Sequence, residues 1–331
     1  MARKRRPTRT ELREGILQGD RIVLSKAITI IESQHPEDQA LGASLLDDLL
    51  PHTGGSIRIG VTGVPGVGKS TFIEAFGMFL SQHGKKVAVL SIDPSSTISS
   101  GSILGDKSRM TELAQARNAY IRPSPTGMSL GGVAHATRET ILLCEAAGYD
   151  TTIVETVGVG QSETMVKEMV DFFLLLMLAG GGDELQGIKR GIMEMADALV
   201  INKADGQNVD PAKHAAEAYR GALHLFPPKE SGWTVPVSTC SSLEGRDIET
   251  IWQSILEYVD TTQGNGYFSL NRNEQVLSWF KDAARQRIID ELLGDRTIHQ
   301  SLGQLEQRVA DRQLSVRGAL SMITKEAWLQ H

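Results

Sequence analysis

Between Gly63 and Thr71 the chain reads Gly-Val-Pro-Gly-Val-Gly-Lys-Ser-Thr. A glycine, four residues, then Gly-Lys-Ser is the spacing of a loop that wraps phosphate oxygens. Glycines let consecutive backbone N–H groups turn inward, and the dipole of the following helix favours an anion. Gly63, Val64, Pro65, Gly66, Val67, Gly68, Lys69, Ser70 and Thr71 would form that cradle. Lys69 is the residue to set an ammonium between the β- and γ-phosphates of a nucleotide. Ser70 would give its hydroxyl to a Mg2+ ion. An apolar run at 57–63 leads into the loop and a helical pattern at 70–82 leads out, which is the context this chemistry requires.

The choice of base comes from Asn202-Lys203-Ala204-Asp205. The Asp205 carboxylate can accept both N1–H and the 2-amino group of guanine. Adenine offers neither donor, so a buried acceptor pair would be left unsatisfied. The Lys203 stem can lie over the base, and Asn202 can brace the phosphate loop. Further on, Ser241-Ser242-Leu243 stands where a backbone N–H would meet guanine O6. The expected ligand is therefore GTP or GDP.

Three carboxylates are candidates near Mg2+: Asp93, Asp106 and Glu155. The ion keeps several waters and takes one or two carboxylates with phosphate oxygens, so three acids exceed its inner shell. Glu155 ends an apolar run, and Gly158 follows three residues later, placed to offer its N–H to a γ-phosphate. Gln161 lies three positions past that glycine and reads as a polar loop residue. Arg109 and Arg122 are possible charge stabilisers, with structural roles favoured for both. The stretch 179–192, Ala-Gly-Gly-Gly-Asp-Glu-Leu-Gln-Gly-Ile-Lys-Arg-Gly-Ile, reads as a glycine hinge. A loop of this kind can couple nucleotide state to a partner, with Lys189 able to reach phosphate or an acid across a dimer.

These residues need a frame. Apolar runs at 57–63, 86–93, 151–156, 172–178, 198–203 and 235–241 alternate with helical patterns at 70–82, 136–147, 211–224 and 247–259. Continuous apolar strands between helices predict an α/β fold with a mostly parallel sheet flanked by helices. Residues 1–50 read as an N-terminal helical extension, 51–262 as the nucleotide-binding domain and 263–331 as a C-terminal helical arm. "PHTGGS" at 51–56 reads as a linker. The 331 residues carry a net charge of −6, which argues against general nucleic-acid binding. The basic stretch "ARKRRPTR" near the start reads as a solvated tail. Two distant cysteines, Cys144 and Cys240, argue against a disulfide framework or a zinc site. The longest apolar run, 172–179, is too short to span a bilayer. The charged N-terminus has no signal-like apolar core, so a cytoplasmic protein without membrane contact is expected.

The motifs "GVTGVPGVGKST", "SIDPSS", "GDKSRM", "YIRPSP", "ETVGVGQSE", "GGGDELQGIKRGIMEMAD" and "NKADG" follow one another in an order that resembles the MeaB/ArgK family of P-loop GTPases. The resemblance covers nearly the whole chain. It implies a GTPase chaperone for adenosylcobalamin-dependent methylmalonyl-CoA mutase, one that gates cofactor delivery and protects the mutase. It also implies a homodimer joined through the C-terminal arm and a switch in the glycine loop. On that resemblance Lys69, Ser70, Asp93, Asp106, Glu155, Lys189, Asn202 and Asp205 carry the chemistry. Three other readings stand beside it. A kinase or ATPase linked to arginine and ornithine transport conflicts with the guanine reader. A nickel metallochaperone GTPase lacks support from two isolated cysteines and eight scattered histidines. A non-catalytic binding module would need a defective phosphate loop.

Overall fold

The structure is a computed structural model describing residues 6–92, 110–123, 130–156, 162–180, 190–294 and 296–327. The chain divides into two compact units, Met1–Asn273 and Glu274–His331.

The first unit is built on a seven-stranded sheet whose paired strands all run parallel. Its strands are β1 (Ile57–Gly63), β2 (Val87–Ile92), β3 (Ala119–Arg122), β4 (Thr151–Thr156), β5 (Phe172–Leu178), β6 (Ala198–Asn202) and β7 (Val237–Thr239). Their order across the sheet is β3-β2-β4-β1-β5-β6-β7. Six of the seven coincide with the apolar runs. The seventh, β3, has only four residues and carries no run long enough to stand out.

Helices cover both faces, as a buried parallel sheet demands. One face packs α4 (Lys69–Gln82) and α10 (Ile248–Gly264), with Phe72, Phe76, Trp252 and Tyr258 in its core. The other packs α1 (Arg9–Leu17), α2 (Arg21–Ile31), α3 (Pro36–Leu49) and α6 (Leu130–Ala146). Side chains alternate faces along each strand, as a period of two requires. Val87 and Val89 point to the first core, Ala88, Leu90 and Ile92 to the second. A third cluster joins α9 (Val209–Leu223) to β5, β6 and β7 through Tyr219, Leu199 and Ile201. Three short helices complete the unit: α5 (Thr111–Gln115), α7 (Ser162–Lys167) and α8 (Arg190–Met195).

Two local expectations change. The 51–56 stretch is no loose linker. Glu145 accepts the N–H of Gly54 at 2.7 Å and the Ser56 hydroxyl at 2.6 Å, while Arg272 donates to the carbonyls of Gly54 and Ser56. In the basic N-terminal stretch the described residues Arg6 and Arg9 are engaged, Arg6 with Glu37 and Asp38, and Arg9 with Asp48.

Helix α11 (Tyr267–Gly294) begins in the first unit and continues into the second. There α12 (Arg296–Ala310) and α13 (Val316–Ala327) pack on each other. Among the described residues no helix is long and apolar enough to cross a membrane.

Candidate functional site

The sheet order reverses at β1: the chain leaves it toward β2 on one side, and β5 and β6 lie on the other. Ligands in such folds gather at the carboxyl ends of the strands at this switch point. The phosphate loop leaves β1 here and opens α4 with Gly68 as its cap, in the left-handed region (φ 92°). Gly66 is also left-handed (φ 80°), a conformation that costs a side-chain-bearing residue about 1–2 kcal/mol. At Gly63 the constraint is steric: a Cβ would sit 2.5 Å from the carbonyl oxygen of Leu176 on the neighbouring strand. Val67 is buried in the core below, while Pro65 is exposed on the loop.

Lys69 turns back over the loop it follows. Its Nζ donates to the carbonyl of Gly63 at 2.9 Å and lies 3.5 Å from that of Val64. Burial pulls the ammonium below its ordinary pKa, opposed by the charges of Glu155 and Glu163. A desolvated cation at the centre of an amide cradle is suited to phosphate. Ser70 Oγ donates to Glu155 Oε1 at 3.4 Å, so hydroxyl and carboxylate face one another at the mouth of the loop. Glu155 is held by register, opposite Val61 on β1 and Ser91 on β2. Next to it, Thr156 donates to Thr62 at 2.8 Å and ties the ends of β4 and β1 together.

Asn202 joins three segments. Its Nδ2 donates to the carbonyl of Val67 at 2.9 Å, and its Oδ1 accepts from the Ser242 N–H at 3.2 Å and hydroxyl at 2.7 Å. The side chain is thus a brace between the phosphate loop, the end of β6 and the loop after β7. Lys203 adopts a left-handed backbone (φ 58°) and lays its stem across the loop to reach the Gly66 carbonyl at 2.7 Å. Asp205 Oδ2 accepts the Ser241 hydroxyl at 2.7 Å, and Ser241 Oγ accepts the Glu244 N–H at 3.1 Å. One carboxylate oxygen is thereby oriented. Leu243 stands exposed on the same loop.

The structure thus brings together Lys69, Ser70 and Glu155 around the loop after β1, and Asn202, Lys203, Asp205, Ser241 and Ser242 around the loops after β6 and β7. Asp93, Asp106, Arg109, Gly158, Gln161 and Lys189 lie outside the described residues. Arg122 is tied to Glu32, the structural role expected of it. Sequence reading missed Glu163, buried in the first turn of α7 with its charge acting on Lys69. It stands two residues past Gln161, and its type alone gave no reason to single it out.

Residues 24–297 match the family described as methylmalonyl Co-A mutase-associated GTPase MeaB. The chain belongs to the MeaB family. This MeaB-family GTPase is 47% identical to the GTPase ArgK of Escherichia coli over 308 residues, which covers 93% of each chain. It is 40% identical over 330 residues to the mitochondrial methylmalonic aciduria type A homolog of Mus musculus, covering 96% of this chain and 79% of that protein. A crystal structure described as a LAO/AO transport system kinase superposes with a TM-score of 0.78 at 40% identity, covering 100% of both chains.

Proposed function

We propose that this GTPase is a nucleotide-operated chaperone of an adenosylcobalamin-dependent methylmalonyl-CoA mutase, gating cofactor loading and protecting the loaded enzyme. The observation that carries the reading is the family match, whose description names mutase association. In the proposed site Asp205, oriented by Ser241, reads guanine. Lys203 covers the base, Asn202 joins the two ends of the site, and Lys69 meets the β- and γ-phosphates.

The Ser70 hydroxyl and Glu155 carboxylate are hard oxygen donors facing one another, a set that suits Mg2+. Among the described residues no group of three or more His, Cys, Asp or Glu competes for a metal. We assign Ser70 and Glu155 as holding the ion directly or through water, with Asp93 and Asp106 as further candidates. When bound, Mg2+ neutralises charge on the phosphate oxygens. Gly158 would sense the γ-phosphate, and Lys189 and the glycine loop at 180–191 would carry the nucleotide state to the partner. We further assign residues 1–50 as an extension of the 51–262 GTPase domain and 263–331 as the arm of a homodimer.

No Arg finger or glutamine adjacent to the sensor glycine is evident in the sequence, so hydrolysis by the isolated protein should be slow and should accelerate with the partner. The test is to mix the purified protein with a purified adenosylcobalamin-dependent mutase and measure complex formation and GTP turnover. Co-elution with at least a severalfold rise in turnover is expected. Absence of binding with GDP, with GTP and with a non-hydrolysable analogue would remove the chaperone reading and leave the GTPase intact.

A further inference from the structure

The loop after β7 closes on itself as soon as it begins. The Ser241 N–H donates to the Arg246 carbonyl at 3.2 Å, and the Arg246 N–H to the Ser241 carbonyl at 3.1 Å. Just before this turn, the Cys240 N–H donates to the Ile201 carbonyl at 2.8 Å, and the Cys240 carbonyl accepts the Ala204 N–H at 2.9 Å. The Arg246 guanidinium reaches the Ala204 carbonyl at 3.0 Å. These bonds fix the peptide between Ser241 and Ser242. They aim its N–H at the end of β6, where it donates to Asn202 Oδ1 at 3.2 Å.

Asn202 is held from its other side. Nδ2 donates to the Val67 carbonyl at 2.9 Å, so Oδ1 must face the loop after β7. That oxygen accepts two further hydrogen bonds, from the Ser242 hydroxyl at 2.7 Å and from the Cys240 thiol at 3.4 Å. Asn202, Cys240 and Ser242 are all buried, so bulk water does not replace a missing donor. Burial pushes the Cys240 thiol up to about 12, so it keeps its proton, yet S–H is a weak donor. Of the three bonds on Oδ1, the one from the Ser242 hydroxyl is the shortest.

In the guanine reading of this site, the Ser242 N–H is the donor for guanine O6. One N–H then serves two acceptors, O6 of the base and Oδ1 of Asn202. A residue without a side-chain donor at 242 would leave the two in competition. We infer that Ser242 is a specificity-determining residue for guanine, its hydroxyl satisfying Asn202 Oδ1 so that its own N–H is released to the oxygen at position 6 of the base. The hydroxyl keeps the brace to Val67 intact while the backbone reads the base. The inference rests on the guanine reading proposed for this site, and it adds a role for a side chain where that reading uses backbone alone.

Ser242→Ala removes the hydroxyl and nothing else. One lost oxygen opens no sizeable void, and in the free protein Asn202 Oδ1 keeps the N–H and the thiol, so the variant is expected to fold. The probes are GDP and 6-thio-GDP. In the second, sulfur, a weak acceptor, replaces O6, while the N1–H and 2-amino group that Asp205 would bind are retained. Calorimetric titration of the full chain with Mg2+ present gives both affinities for parent and variant. The parent is expected to prefer GDP. In the variant, GDP affinity should fall about 3- to 12-fold, the net worth of one hydrogen bond, with 6-thio-GDP held within about twofold. A variant that keeps the parent's full preference overturns the inference. So does an equal fall for both nucleotides, which would make Ser242 a support of the loop and no more. A parent that binds the two alike would remove the O6 contact itself, and the inference with it.

Discussion

At the scale of single residues, the proposed base reader is a carboxylate that its neighbours orient. Ser241 donates to one oxygen of Asp205, and the backbone N–H of Glu244 in turn holds Ser241. Guanine presents two donors to such an acceptor, and xanthine, with a carbonyl in place of the amino group, presents the wrong partner. Asp205→Asn replaces one acceptor with a donor and so inverts the preference. GTP affinity is expected to fall about 5- to 150-fold, the cost of roughly 1–3 kcal/mol for a buried polar group left unmatched. Xanthosine triphosphate should become the better ligand. Competition calorimetry of the two nucleotides on the variant decides the matter, and a variant that still prefers GTP would end the base assignment. These candidate residues could be singled out in the sequence because the chemistry proposed for them is local: Gly63 to Ser70 and Asn202 to Asp205 are each contiguous. The buried ion pairs of Asp197 with Lys167 and Lys229 were not legible. These partners lie 30 and 32 residues away, in a short helix and in a proline-containing loop. Only the fold makes them neighbours.

At the scale of elements, what could be read followed length. The long apolar strands and the helices of three turns or more announced themselves by period. Strand β3 and helices α5, α7 and α8, of four to six residues, are too short to display one. They are stabilised by the neighbours they join, which local sequence does not encode. Helix α6 shows how burial by neighbours also resets chemistry. Glu139 lies on it half-buried, and desolvation raises its carboxyl from the ordinary 4.5 to about 7. The neutral acid therefore suits the folded state better than the carboxylate. Its contribution to stability is complete below about pH 4.5 and is lost as pH rises through about 7. Glutamine imitates the neutral acid at every pH. Glu139→Gln should melt close to the parent at about pH 5 and progressively above it up to about pH 7, where the gap levels off. Parallel melting curves from pH 5 to 8 measure this directly, and a gap that stays constant with pH would show that Glu139 titrates normally.

At the scale of the whole molecule, no candidate nucleotide-site residue lies in the second unit, yet that unit carries unusual surface. On α11 the side chains of Val276, Leu277, Phe280 and Ile288 are 56%, 57%, 67% and 58% exposed. At 3.6 residues per turn these four positions fall on one face. Val316 and Leu320 on α13 are exposed to a similar degree. Scattered apolar residues need no explanation, but an aligned row of large ones marks a surface that another protein covers. A second copy of this chain fits the homodimer implied by the family resemblance, and a two-fold contact would bury each side chain twice. Replacing Leu277 and Phe280 with glutamate then removes four apolar contacts per dimer and places four charges in the interface. At about 1.5–3 kcal/mol for each buried side chain, the dimer should weaken well beyond 100-fold. Sedimentation of the full chain at micromolar concentration is expected to show the parent as a dimer and the double variant as a monomer. GTP binding should persist in both, because Gly63–Ser70 and Asn202–Asp205 belong to the other unit. A parent protein that sediments as a monomer with GDP and with GTP would assign this face to a different partner. A variant that stays dimeric would move the interface to another surface of the chain.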